Sequence, residues 1–406
     1  MDRRDFLKNI LALAAFAPVS RLNAAVTVPE AAEKNKVSRR RYKDTRLTVP
    51  MLGYGMMRLP QLNSEIDYDT VKKQIATAMA AGVNYFDTAY FYHGGKSEIC
   101  AGKLLSEYPR SSYMLADKMP VSRLRNASDI EKIWNEQLQR CQVDYFDFYL
   151  LHALNAASWK KSRQLKVYEF LKKKKDEGKI KYLGFSFHDS PAVLKDIASA
   201  YPWDFAQIQL NYLDWTLYRS KEQYEILTGL NIPVIVMEPL RGGALATLNE
   251  PAREILKKAD PDASIASWAF RYAGSLPNVL CILSGMTVTE HLLDNIKTFT
   301  GFKPLSNAER QTLDAALAAY KKSGIVPCTA CRYCLPCPVG VNIPKNFTIY
   351  NNMKISGNKR RAANAYKGMP PKQQAANCVS CNKCKKRCPQ QIDIPTLLKQ
   401  IAQELK

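Results

Sequence analysis

The chain has 406 residues, 46% of them hydrophobic and 24% charged, which suffices to bury a large core and excludes a disordered polymer. Domain sizes of roughly 100 to 200 residues predict about two domains. The formal net charge of +22 is uneven: from Lys321 to Lys406, 16 Lys and Arg face only Asp393 and Glu404, so +14 of it belongs to a C-terminal module.

At the N-terminus, Arg3 and Arg4 precede Phe6-Leu7-Lys8 and an apolar run from Ile10 to Ala17. This is the pattern of a twin-arginine export signal, which carries folded, cofactor-loaded proteins across a bacterial membrane. The run is far short of the roughly 20 residues that span a bilayer. Residues 1–30 are therefore expected to be a signal and linker, giving a periplasmic location; a frayed basic helix and a cytoplasmic location are the alternative. The cleavage site stays open, since Ala15-Phe16-Ala17 runs into Pro18 and Asn23-Ala24-Ala25 opens on a poor residue.

Eight apolar or β-rich runs follow: MLGYGMM, VNYFDTAY, SYMLADKM, YFDFYLLH, IKYLGFSF, FAQIQLN, IPVIVMEPL and VLCILSGM. Helical patterns lie between them, at Tyr68 to Ala81, Asp129 to Cys141 and Trp159 to Glu177. Repeated strand-then-helix units predict an α/β fold, a (β/α)8 barrel of parallel strands over residues 38–302. A doubly wound sheet is the alternative, disfavoured because no G-x-G-x-x-G follows the first strand.

Barrel chemistry sits where the strands end. Asp87 closes the second run, Lys118 the third and His152 the fourth, while Tyr92 lies in the loop after Asp87. These four polar groups converge on one mouth. Singly, each has a structural explanation as a buried ion pair, a core tyrosine or a satisfied histidine; jointly, they point to a catalytic site.

Through GVNYFDTAYFYHGG, LADKM, YLLHAL, GFSFHDS and MEPLRGG, the stretch from Ser38 to Phe302 resembles the aldo/keto reductase family. The resemblance implies transfer of hydride between NADPH or NADH and a small carbonyl or alcohol substrate. Tyr92 would be the general acid, Lys118 the cation that lowers its pKa, Asp87 the partner that holds Lys118, and His152 the group that orients the substrate oxygen. Ser186 and Gln207 would contact the nicotinamide amide, and Met237 would cover the ring where many relatives have a tyrosine. The backbone of Leu240, Arg241 and Gly242 would lie near the pyrophosphate, with Asp294 and Asn295 near the adenine. Gly285 and His291 stand close to where NADP-preferring relatives carry basic residues, so the choice between NADP and NAD is open unless Arg241 compensates. Met57, Phe91 and Trp159 are expected in the pocket wall, suiting apolar or aromatic carbonyls.

The charge run LKKKKDEGK, Leu171 to Lys179, reads as the solvated end of a helix. Cys100, Cys141 and Cys281 are scattered among apolar residues and read as core packing.

The remaining eight cysteines are clustered. CTACRYCLPCP supplies Cys328, Cys331, Cys334 and Cys337, and CVSCNKCKKRCP supplies Cys378, Cys381, Cys384 and Cys388, each set followed by proline. Three thiolates set two residues apart can bind three irons of one cubane, and in two-cluster ferredoxins the fourth ligates the other cluster. Cys328, Cys331 and Cys334 are accordingly paired with Cys388, and Cys378, Cys381 and Cys384 with Cys337. Disulfides and zinc are the weaker alternatives. The stretch resembles a bacterial two-[4Fe-4S] ferredoxin domain, although the last spacing of its first motif is one residue short. A small, mainly α-helical iron–sulfur domain is expected over residues 303–406. Together the two resemblances suggest the branch of the aldo/keto reductase family that carries such a tail.

The primary expectation is thus an oxidoreductase with two [4Fe-4S] clusters that exchange electrons with a partner. No flavin motif is present to divide a two-electron hydride between one-electron clusters, so a separate flavoprotein partner or structural clusters stay open. The basic tail favours an acidic redox protein or an anionic membrane surface over nucleic acid, for which no reading motif is present. The alternative of a different class is a non-catalytic redox sensor or docking protein that binds nicotinamide.

Overall fold

The computed structural model describes residues 36–405 other than 44 and 323, so the export signal expected over residues 1–30 lies outside it. Eight parallel strands close into one barrel in chain order. They are β1 Leu52–Gly55, β2 Tyr85–Asp87, β3 Met114–Met119, β4 Phe146–Leu154, β5 Ile180–Phe187, β6 Phe205–Gln209, β7 Val234–Met237 and β8 Val279–Ser284. Each falls on one of the eight apolar runs. Strands buried on both faces read as continuous hydrophobic stretches, and closure rules out the doubly wound alternative.

Tyr85, Phe148, Phe205, Ile235 and Leu280 fill the barrel interior, which is closed below by Tyr42 and Val49. Those two belong to the segment of the short hairpin Arg39–Arg41 and Thr48–Pro50. The hairpin is tied on by Arg40, whose guanidinium donates to the carbonyls of Gly274, Leu276 and Val279. Cys100, Cys141 and Cys281 are buried, in keeping with core packing.

The helix Tyr68–Ala80 starts where Asp67 accepts from the Thr70 amide, and Ser128–Cys141 follows its expected span. The long helix expected from Trp159 to Glu177 is instead two helices, Ala156–Gln164 and Val167–Asp176. A reciprocal capping box between Asn155 and Ser158 starts the first one early, and Lys166 at φ +55° breaks the run.

The helix Asn307–Lys321 packs Leu313, Ala316 and Tyr320 against Leu248, Ala252 and Leu256, in a core shared with the barrel's outer helices. A second core begins at Val326 and gathers Phe347, Tyr350, Tyr366, Leu398 and Ile401. The tail module thus starts at Val326 rather than at 303, because the sequence carries no break where that helix turns back onto the barrel. Its helices are Ile343–Ser356, Lys359–Lys367, Lys383–Arg387 and Ile394–Glu404. Among the described residues no helix is long and apolar enough to cross a membrane.

Candidate functional site

Strand register brings the polar residues to one level at the C-terminal mouth. Gly55 pairs with Asp87, Lys118 with Leu150 and Ser186 with Gln207. They surround a cavity of about 310 Å³ whose lining includes Asp87, Tyr92, His152, Ser186, Gln207, Met237 and Asn295.

Lys118 is fully buried beneath the cavity. Its Nζ donates to Asp87 Oδ1 at 2.6 Å, to the Thr88 carbonyl at 2.6 Å and to the Tyr92 hydroxyl at 3.5 Å. Gln207 Nε2 holds the other Asp87 oxygen at 3.1 Å. Burial pushes the Asp87 carboxyl up, while the charge and hydrogen bond of Lys118 pull it back. The Tyr92 phenol stands well above its ordinary value, first by burial and then by the carboxylates of Asp87, Glu238 and Asp117. Burial is the largest of these influences, and the resting phenol keeps the proton that a general acid needs, with the Lys118 ammonium beside it.

His152 is held neutral, far below its usual range, by burial first and then by Lys118 and His188. Its Nδ1 is buried without a partner, and so is that of His188, which also lines the cavity. Buried polar atoms without partners are costly, so two of them at one cavity suit a ligand carrying oxygen or N–H groups.

Other expected residues divide. Ser186 Oγ accepts from the Ala153 amide at 2.7 Å, and Asn295 Nδ2 donates to Ser284 Oγ at 3.0 Å at the cavity's other end. Leu240, Gly242, Gly285, His291 and Asp294 also line the cavity. The Arg241 side chain does not. Its guanidinium is buried against Asp214, with Nε 2.9 Å from Oδ1, and it donates to Gln390 Oε1 at 2.9 Å. It is therefore committed to the protein and not free to compensate at a 2′-phosphate. Met57 is in the lining, whereas Phe91 and Trp159 are not. The Phe91 ring stacks on His152 at 5.5 Å, and the Trp159 indole is buried in the core with Nε1 donating to Asp196 at 2.8 Å.

Sequence reasoning missed one whole side of the cavity, which the tail supplies through Thr329, Cys331, Tyr333, Pro389 and Gln390. It also missed Arg58 and Glu238 on the barrel side. Arg58 Nη2 donates to the Thr329 carbonyl at 2.8 Å and lies 3.8 Å from Glu238 Oε1. Gln390 and Gln209 exchange two amide hydrogen bonds, at 2.8 and 2.6 Å. Glu238, at φ +56°, was the one available signal, an acid set directly after Met237 in MEPLRGG.

All eleven cysteines are free, so the disulfide alternative is not adopted. Cys328, Cys331, Cys334 and Cys388 line one small cavity of the tail, and Cys334, Cys337, Cys378, Cys381 and Cys384 line a second. The fourth cysteine of each motif thus faces the other motif's trio. The Cys334 thiol is pushed up to about 12 by burial and then by Cys331, Cys328 and Cys388. Such crowded, buried thiols fit a metal cluster that takes them as thiolates. Among the described residues no three His, Cys, Asp or Glu converge tightly enough to hold a single metal ion. A four-iron cluster, with one thiolate on each iron, does not require that convergence.

The sequence pattern of the aldo/keto reductase family matches residues 51–318, well over half of the chain. The chain belongs to the aldo/keto reductase family. Residues 327–392 of this family member match a 4Fe-4S dicluster domain. Its relatives include L-galactose dehydrogenase of Arabidopsis thaliana, 25% identical over 68% of this chain and 92% of the plant protein. The NADH-specific methylglyoxal reductase of Escherichia coli is 24% identical over 62% of this chain and 90% of that protein. An aldo-keto reductase from Bacillus halodurans, solved in its holo form, shares the fold with a TM-score of 0.59 at 23% identity, covering 69% of this chain and 96% of that one. With relatives named as dehydrogenases and reductases, this aldo/keto reductase is an oxidoreductase with an iron–sulfur tail, and its fold is one that binds a nicotinamide cofactor.

Proposed function

We propose that this chain interconverts a carbonyl compound and its alcohol at the barrel mouth, and that its tail holds two [4Fe-4S] clusters which exchange electrons with a partner. The observation that carries the reading is the buried contact of Lys118 with both Asp87 and the Tyr92 hydroxyl, at 2.6 and 3.5 Å. A reduced nicotinamide bound over Ser186, Gln207 and Met237 would supply the hydride. The Tyr92 hydroxyl delivers the matching proton to the carbonyl oxygen, and the Lys118 ammonium beside it stabilises the phenolate left behind. Asp87, fixed by Gln207, keeps Lys118 in place. His152, neutral and with an unpartnered ring nitrogen, orients the same oxygen. Asp294 and Asn295 at the adenine end, with Arg241 withdrawn, favour NADH over NADPH, because a carboxylate suits a ribose hydroxyl and repels a 2′-phosphate.

Cys328, Cys331, Cys334 and Cys388 would hold one cluster, and Cys378, Cys381, Cys384 and Cys337 the other. Each would supply one-electron chemistry. The second set reaches the surface. Cys381 and Val379 are exposed beside Lys383, Lys386 and Arg387, a basic, partly apolar face that suits an acidic redox protein.

The test is anaerobic purification followed by visible and EPR spectra before and after NADH, with single-turnover assays on a panel of aldehydes, ketones and alcohols. Alcohol formation coupled to NADH oxidation supports the reading. Tight NADH binding with no turnover on any carbonyl would overturn it in favour of a sensor.

A further inference from the structure

The tail does more than sit beside the barrel. Thr329, Cys331, Pro389 and Gln390 line the barrel cavity on one side and the first cysteine cavity on the other, so a single layer of protein separates the two. Within that layer the backbone of Ala330 and Arg332 is left-handed, at φ +54° and +69°. Non-glycine residues rarely adopt this conformation and keep it only where the surroundings fix it. Its effect is to splay successive side chains: Cys334 faces the cysteine cavity, and Tyr333 points the other way, into the barrel. Tyr333 shares the lining of that cavity with Tyr92 and His152. Three fastenings on the barrel hold the layer, Arg58 on the Thr329 carbonyl, the Gln209–Gln390 amide pair and Arg241 on the Gln390 side-chain oxygen.

From this geometry we infer that the cysteine-bearing loop from Thr329 to Cys334 is the outer wall of the carbonyl site, with Tyr333 as its specificity-determining side chain. The inference rests on the carbonyl reading of the Tyr92 site. A substrate whose oxygen meets Tyr92 and His152 has its substituent facing the Tyr333 ring. Aromatic rings gain from stacking or edge contact with one another beyond simple burial, and Met57 adds an apolar neighbour. The favoured class is carbonyl compounds with a flat, aromatic group next to the carbonyl. Because the wall is also the cysteine loop, a ligand in the barrel cavity presses on the surroundings of Cys331.

The test uses the full-length holoprotein, purified anaerobically, with iron content and EPR spectrum matched between variants. Benzaldehyde and butanal serve as probes with NADH. Tyr333→Leu should raise KM for benzaldehyde about tenfold and leave butanal within about twofold, the size expected of one lost aromatic contact, while Tyr333→Phe behaves as wild type. Equal loss for both aldehydes, or no change for either, overturns the assignment of Tyr333. An independent measurement needs no turnover and no variant. Benzoate, a non-reacting aromatic, should shift the EPR signal of the dithionite-reduced wild-type protein, and acetate should not. A spectrum unmoved by benzoate overturns the shared wall. If wild type reduces no carbonyl at all, the carbonyl reading fails, while the benzoate result still decides whether the loop lines the cavity.

Discussion

Lys118 and Asp87 form a fully buried ion pair, 2.6 Å apart, at the floor of the barrel mouth, and the Lys118 ammonium also reaches the Tyr92 hydroxyl at 3.5 Å. Burial holds the Tyr92 phenol protonated in the resting site, and the ammonium beside it is placed to stabilise the phenolate once the proton has left. Tyr92→Phe should therefore leave NADH affinity nearly unchanged and lower turnover by about 10²- to 10⁴-fold, the range for a positioned general acid. Equilibrium binding by NADH fluorescence and steady-state assays on the same preparation check both halves. Lys118→Met should lose turnover as well and in addition destabilise the barrel by about 3 to 5 kcal/mol, because Asp87 is left buried without its partner.

Crossed cysteine sets give a second expectation. Cys388→Ala should remove the cluster of Cys328, Cys331 and Cys334, and Cys337→Ala the cluster of Cys378, Cys381 and Cys384, each lowering bound iron by about half. EPR of the reduced proteins separates the two. A signal that responds to a ligand in the barrel cavity should disappear in Cys388→Ala and persist in Cys337→Ala, since Cys331 borders that cavity and the second set does not. The opposite outcome would mean that each motif ligates its own cluster.

The barrel was legible because its strands are covered on both faces and so write themselves as apolar runs, and because Asp87, Lys118 and His152 are polar residues at the ends of those runs, where burial would otherwise forbid them. Spacing alone similarly exposed the eight cysteines. What stayed hidden depends on contacts between segments far apart in the chain. Arg241 looked available for a phosphate until Asp214, 27 residues earlier, claimed it. Trp159 and Phe91 are aromatic residues close to the mouth, but packing turns one into the core and lays the other against His152. Tyr333 reads as a spacer between cysteines, and only docking of the tail converts it into a wall of the barrel cavity.

Asp214 is the hub of that docking. It is fully buried and accepts from Arg241 Nε, from Gln209 Nε2 at 2.7 Å and from Asn211 Nδ2 at 2.6 Å, while Arg241 and Gln209 both bind Gln390 of the tail. Asp214→Ala strands a buried guanidinium and should cost about 3 to 5 kcal/mol. Adding Arg241→Met should restore part of the loss, because the charge in need of a partner is gone. Anaerobic thermal melts of the two single variants and the double variant form the cycle; a double variant as unstable as the sum of the singles would show the two residues to be independent.

His188 sets a pH dependence. Burial lowers its pKa from 6.5 to about 4. Above pH 6.5 both folded and unfolded chains carry it neutral, and it contributes no slope. Between pH 6.5 and 4 the unfolded chain binds a proton that the folded chain refuses, so stability falls as pH falls through that window. His152, also lowered chiefly by burial, adds in the same direction. His188→Gln should make melting temperature fall less steeply over pH 6.5 to 4 and leave it nearly parallel to wild type above pH 7. An unchanged acid slope would mean that His188 is solvated enough to take up its proton in the folded state.

Gly242 and Gly243 are adjacent, and both stand at positive φ, +67° and +94°, yet they face different surroundings. A Cβ on Gly243 would meet nothing within 4 Å, whereas one on Gly242 would meet the Thr329 carbonyl oxygen at 2.3 Å and its carbon at 2.9 Å. That carbonyl is the one Arg58 holds, so the cysteine loop is seated directly on the Gly242 backbone. Gly243→Ala should cost only left-handed strain, about 1 to 2 kcal/mol. Gly242→Ala carries the same strain and must also lift the loop, since neither a carbonyl nor the backbone behind it can yield like the end of a flexible side chain. It should therefore melt at a clearly lower temperature than Gly243→Ala and lose the response of the cluster EPR signal to ligands in the barrel cavity, with bound iron unchanged. Equal melting temperatures and an intact response in both variants would mean that the loop is not seated on Gly242 in solution.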